Sequence, residues 1–226
     1  MVLYVRYYEL YSHTAPYCLA QPDLMKKTSK KKTGLSKRDS IIESALSAFL
    51  ELGFGGTTMD EVVKRAGGSK ASIYKHFKNK EDLFATVVDE LVRNRLTNEL
   101  NPDDPPETAL QEYAESRLKV VFTKKHIALR RLIIAEANRF PKIARVYYEH
   151  GPASSIKQLE KYFFIENERG VLKIIDPHSA AISFTGMLMH YMFSRTLYNI
   201  SAGPTNSQIK EHALRTVSTF LAAHQV

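Results

Sequence analysis

Residues 69–80 read Ser, Lys, Ala, Ser, Ile, Tyr, Lys, His, Phe, Lys, Asn, Lys. Turned through about 100° per residue, Ile73 and Phe77 share one direction, whereas Ala71, Ser72, Tyr74, Lys75 and His76 fall away from it. The inner stripe is suited to packing. The outer face, with Lys70, carries hydroxyls, an imidazole and ammonium groups, the donors and acceptors that meet phosphate oxygens and base edges. Just upstream stand Thr57 and Thr58, and Thr58 with Glu61 has the form of a capping box. A capped helix start leaves free amides and a partial positive charge, which suits phosphate at Thr58 and again at Asn79-Lys80. The plainer alternative for Tyr74 and His76 is that they only cover a small domain's surface.

Other chemistry has less to work with. A lone Cys18 allows neither an intrachain disulfide nor a multi-thiolate metal site, and this composition fits a reducing, cytoplasmic setting. The chain contains no phosphate-binding glycine loop, no HExxH pair and no thiol beside a plausible base, so neither an enzyme nor a resident cofactor or metal is expected. No stretch approaches the roughly 20 apolar residues that span a bilayer. With 226 residues, 44% hydrophobic and 25% charged, the chain suits one small and one medium globular domain.

The charge is unevenly placed. Residues 1–80 hold 14 Lys/Arg against 7 Asp/Glu, and residues 81–226 hold 18 against 17. Lys26, Lys27, Lys30, Lys31, Lys32, Lys37 and Arg38 follow one another with no acid between them. Residues 1–35 are therefore expected to form a basic arm able to neutralise phosphates, with a solubilising tail as the alternative. Translation is expected to start at Met25, where this arm opens.

These groups need elements to hold them. Ile41, Ile42, Ala45, Phe49 and Leu52 recur at helical spacing behind a Ser36–Asp39 cap, and the helix is expected to stop at Gly53. Five of the ten glycines fall within residues 53–68, marking two tight turns close together. A second helix runs from Thr58 to about Ala66, a third follows Ser69, and a fourth starts at Asn79 and Asp82 and reaches about residue 100. Helices are then expected at 107–122, 127–140, 141–149, 154–167, 177–199 and 205–223, broken by Pro141, Gly151-Pro152, Gly170, Pro177 and Gly203-Pro204. Residues 171–175 are the one run open to a strand reading. The fold class is all-α: a three-helix helix-turn-helix domain at 36–84 joined to a helical body at 85–226.

The ordered set Thr57-Thr58, Ala66-Gly67, Ser69-Lys70 and Ile73-Tyr74-Lys75-His76-Phe77-Lys78-Asn79-Lys80-Glu81-Asp82-Leu83 resembles the DNA-binding signature of the TetR/AcrR family of transcription regulators. It departs at Gly68, where the family usually has a small branched residue, and at Lys75, where many members carry an aromatic or histidine. The resemblance implies that Lys70, Ala71, Ser72, Tyr74 and His76 face the major groove and that Thr57, Thr58 and Lys80 meet phosphate. Residues 131–141 and 147–152 are similar to the C-terminal domain of the AefR-like branch. That implies an effector pocket within the body and a homodimer through about 177–223, binding a near-palindromic operator and released by a small molecule. Aromatic, methionine and histidine positions nominated for the pocket are Phe122, His126, Ile133, Tyr147, Phe184, Met187, His190 and Tyr191, each with ordinary core packing as the alternative. Glu136 and Arg139 are expected to pair with each other along one helix. A non-specific architectural DNA binder is the rival reading.

Overall fold

The computed structural model describes residues 36–92 and 100–224. The basic arm through residue 35 and the Met25 start lie outside these residues, as does Cys18. Among the described residues the fold is entirely helical, in the expected order.

Helix α1 (Lys37–Gly56) opens with a complete Ser36–Asp39 capping box, and its regular course stops at Gly53 as expected. Gly53 adopts φ 76° and ψ 167°, so the helix kinks there and resumes for one short turn. Helices α2 (Met59–Ala66), α3 (Lys70–Tyr74) and α4 (Lys80–Val92) follow. Thr58 caps α2 by accepting the Glu61 N–H, but the reciprocal half of the expected box is missing, because the Glu61 carboxylate accepts from Arg65 Nε at 2.7 Å. Asn79 Oδ1 accepts the Asp82 N–H at 2.8 Å, which starts α4 where expected.

The body comprises α5 (Pro106–Val121), α6 (Lys124–Glu136), α7 (Pro141–Tyr148), α8 (Ser154–Glu168), α9 (Pro177–Leu197) and α10 (Asn206–Ala222). Helix α6 is displaced from its expected span at both ends. Thr123 caps it three residues early, and Phe140, which precedes a proline, takes extended φ rather than helix. Gly151-Pro152, expected as a break, instead lies in a turn of π-helix (Glu149–Ala153) that joins α7 to α8. Proline lacks the N–H of the regular ladder and crowds the preceding turn, and the wider turn accommodates both. Residues 171–175 form an extended connection and not a strand, with the Lys173 N–H donating to the His224 carbonyl at 2.7 Å.

Two apolar cores result. One joins α1–α4 to Leu129 and Ile133 of α6 and to Ile143 and Tyr147 of α7. The other is built from α5, α8, α9 and α10, where Phe163 stacks on Phe220 at 4.9 Å and Phe184 meets Phe220 edge-on at 5.2 Å. The helix-turn-helix therefore shares a core with part of the body.

Candidate nucleic-acid interface and ligand cavity

The turn between α2 and α3 is closed by Gly67, whose φ of 63° is the left-handed conformation and whose N–H bonds the Val63 carbonyl. Gly68 has no such need. A Cβ there would meet only Lys37 Nζ at 3.1 Å, the end of a flexible chain, so a side chain is missing at Gly68 without the turn requiring it. Ser69 Oγ accepts the Ser72 N–H at 3.2 Å and sets the start of α3. From that start Ile73 is fully buried and Phe77 joins it in the core, while Tyr74 stands 48% exposed. Lys70, Ala71, Lys75 and His76 are exposed beside it and Ser72 is half-buried. The expected outer face is thus assembled on one surface.

Three of its cations and hydroxyls have partners within the protein. Lys70 Nζ donates to Asp60 at 3.0 Å and lies 2.8 Å from its other oxygen, and the hydrogen bond to that carboxylate raises the Lys70 pKa. Thr57, expected to meet phosphate, is only 1% exposed, and its hydroxyl donates to the Gly53 carbonyl at 2.7 Å. Its side chain closes the α1 terminus. Lys80, the other expected phosphate contact, donates to the Phe54 and Thr57 carbonyls at 2.8 and 3.0 Å, with its ammonium 4.5 Å from the Phe54 ring. Both corrections have one cause: the kinked end of α1 leaves carbonyls that need donors. Thr58 remains exposed at the start of α2.

The second site is a cavity of about 390 Å³ within the body, within the range of small-molecule sites. Tyr113 and Arg117 of α5, His126 and Arg130 of α6, Tyr147 of α7, Gly151 and Pro152 of the π turn, and Met189, His190 and Phe193 of α9 all contribute to its wall. His126 Nε2 and the Tyr147 hydroxyl are 2.8 Å apart. Burial, reinforced by the positive charges of Arg130 and Arg117, lowers the His126 pKa to about 4, so the ring is neutral near pH 7. Burial also raises the pKa values of Tyr113 and Tyr147 and keeps both hydroxyls protonated.

Three of the eight nominated ligand residues, His126, Tyr147 and His190, line this cavity. The other five are elsewhere. Ile133 lies in the core shared with the helix-turn-helix, and Phe184 lies in the body's aromatic core. Phe122 packs beside Phe193, at 6.0 Å, without lining the cavity, and Met187 and Tyr191 are exposed on the outer side of α9. The two arginines were missed. Each sits one turn beyond an inward residue, Arg117 after Tyr113 and Arg130 after His126, and a cation within an apolar stripe is the signal that marks them.

Known proteins agree with this geometry. Residues 41–87 match the family described as bacterial regulatory proteins, tetR family, and residues 108–226 match the AefR-like transcriptional repressor C-terminal domain. The flavonoid-responsive regulator FrrA is 31% identical in sequence, with a TM-score of 0.72 over 84% of this chain and 97% of that one. The chain belongs to the TetR family. A putative TetR-family regulator from Mesorhizobium loti is similar to the same extent, at 31% identity and TM-score 0.71 over 84% and 97% of the two chains. Among curated relatives, the IcaR biofilm-operon negative regulator of Staphylococcus epidermidis is 40% identical over 52 residues, 23% of this chain and 28% of its own. RutR of Escherichia coli is 30% identical over 99 residues, 42% of this chain and 47% of its own. The chain thus spans less than half the length of these curated relatives.

TetR-family proteins are transcriptional regulators, generally repressors. In this member the shared core gives the reading head a direct mechanical neighbour. Glu136 at the end of α6 accepts the Gly55 N–H at 3.4 Å, and Phe140 meets the Phe54 ring at 5.1 Å. The expected partnership of Glu136 with Arg139 gives way to this arrangement, with Arg139 lying over the Phe140 ring at 5.1 Å. No described helix is long and apolar enough to cross a membrane, and no metal-binding cluster occurs among the described residues.

Proposed function

We propose that this TetR-family protein is a cytoplasmic, homodimeric repressor whose α3 face reads a near-palindromic operator and which a small molecule filling the body cavity releases from DNA. Residues 36–84 are the DNA-binding domain and 85–226 the effector-binding and dimerisation domain. Thr58, Lys70, Ala71, Ser72, Tyr74, Lys75 and His76 form the DNA face.

The observation that carries the reading is the position of Tyr147, which lines the cavity and also belongs to the core that holds the helix-turn-helix. Next to cavity-lining Gly151, His150 pairs with Asp89 of α4. A ligand that moves α7 or the π turn therefore moves the support of α3, and DNA affinity falls by the difference in its binding energy to the two states. FrrA is described as flavonoid-responsive, and the aromatic wall of this cavity supports a small aromatic effector here as well. Exposed Ile182, Met187 and Tyr191 on α9, with Leu214 on α10, supply an apolar face for a second copy. A two-fold dimer sets its recognition helices about 34–36 Å apart, one DNA turn.

Selection of bound duplexes from a random library, at physiological salt, tests the reading. The expected product is a near-palindrome whose preference is lost when Tyr74 and His76 are replaced by alanine. Salt-dependent binding with no enriched sequence would instead establish a non-specific architectural binder.

A further inference from the structure

We propose that the body cavity is an anion site, taking an aromatic carboxylate whose oxygens lie between the Arg117 and Arg130 guanidinium groups and whose ring packs on Phe193 and Met189. This rests on reading the cavity as the effector site and adds the charge and class of the ligand. Among the described residues two arginines line the cavity and no aspartate or glutamate does.

Arg117 is 7% exposed, and its terminal nitrogen donates at 2.9 Å to Gln158, a neutral amide. Its Nε is buried without a hydrogen-bond partner among the described residues. Arg130 lies 4.2 Å from the Phe193 ring centroid and 5.6 Å from that of Tyr147, so aromatic faces flank its charge. Burying the Arg117 charge without a counterion is costly. A bound carboxylate removes that penalty and suits the planar donor fork of arginine.

His126 supplies a third, independent sign. The ring is 3% exposed, and its Nδ1 has no hydrogen-bond partner among the described residues, while Nε2 is engaged with Tyr147. The tautomer in which the Tyr147 hydroxyl donates to Nε2 carries its proton on Nδ1, and an anionic oxygen bound beside Nδ1 selects that tautomer. These three groups share the lining of a cavity whose walls also include the apolar Ile156, Met189 and Phe193. A neutral aromatic would leave the arginine charges unanswered. A phosphate ion would leave the apolar walls empty.

The test uses naphthoate and its neutral, nearly isosteric amide, naphthamide, titrated calorimetrically into the full-length protein, with operator affinity measured in parallel. Naphthoate is expected to bind at least about tenfold more tightly than naphthamide, as charge-assisted hydrogen bonds require. Arg130→Met, at a half-exposed position that the fold tolerates, should lower naphthoate affinity about tenfold and leave naphthamide affinity unchanged. Arg130→Lys should restore part of the preference. Arg117→Gln should act in the same direction if its circular dichroism and melting remain those of the parent. Equal affinity for the two probes, a preference that survives Arg130→Met, or no binding of either probe would each overturn the anion site. Naphthoate bound through Arg130 without any change in operator affinity would support the anion site and overturn release by the effector, so the two readings fail separately.

Discussion

His126 shows how one side chain can tie the cavity to the stability of the whole chain. Unfolded, its ring titrates near 6.5, whereas in the fold burial and the Arg130 and Arg117 charges hold its pKa at about 4. Below pH 6.5 the unfolded chain binds a proton that the folded chain refuses, so stability present above 6.5 is lost as pH falls towards 4. At about 1.4 kcal/mol per pH unit, this group alone removes roughly 3 kcal/mol across that window. Thermal unfolding followed from pH 7.5 to 4 should therefore show a steep loss that His126→Gln flattens. An unaltered slope in the variant would assign the acid sensitivity to other groups. The sequence marks His126 as a candidate, but the consequence depends on Arg117 and Arg130, which come from two helices. Periodicity within each helix shows that an arginine faces inward; only the tertiary structure shows that the two line one cavity.

At the scale of elements, legibility follows the range of the interaction. Caps such as Ser36–Asp39 and Asn79–Asp82 join residues three apart, and both form. The Gly53 break is read from the glycine itself, whereas its contact with α6 is not. A Cβ at Gly53 would sit 2.5 Å from Glu136 Oε1, and its φ of 76° is strained for any other residue. The kink in turn exposes the carbonyls that engage Thr57 and Lys80, and so withdraws two side chains that the motif alone assigns to phosphate. Gly53→Ala is expected to destabilise the protein by about 2 kcal/mol or more, combining backbone strain with the clash. Glu136→Ala in that background should recover the clash but not the strain, so the two substitutions should be non-additive in urea unfolding. Strict additivity would show that α6 does not constrain the kink.

At the scale of the whole molecule, the proposed dimer rests on a surface that the described residues leave uncovered. Along α9, Ile182, Ser183, Gly186, Met187, His190 and Tyr191 are exposed, with no acid, lysine or arginine among them, and Tyr191 is 68% exposed. The apolar character of this helix is visible in the sequence. What the sequence does not separate is the part covered by α8 and α10 from the part left for a second copy, because both look alike in hydropathy. Ile182, Met187 and Tyr191 fall on the uncovered side, whereas Phe184 and Leu188 point into the body. Replacing Met187 and Tyr191 together by glutamate should therefore leave the monomer folded, since neither contributes to a core or lines the cavity, yet halve the mass seen by sedimentation. Operator affinity should fall by about a hundredfold or more, because each recognition helix then binds its half-site without the high effective concentration that its partner confers. Isolated half-sites should be bound as weakly by the variant as by one arm of the parent protein. A variant that sediments as a dimer, or that keeps full operator affinity as a monomer, would place the interface elsewhere and detach DNA recognition from this face.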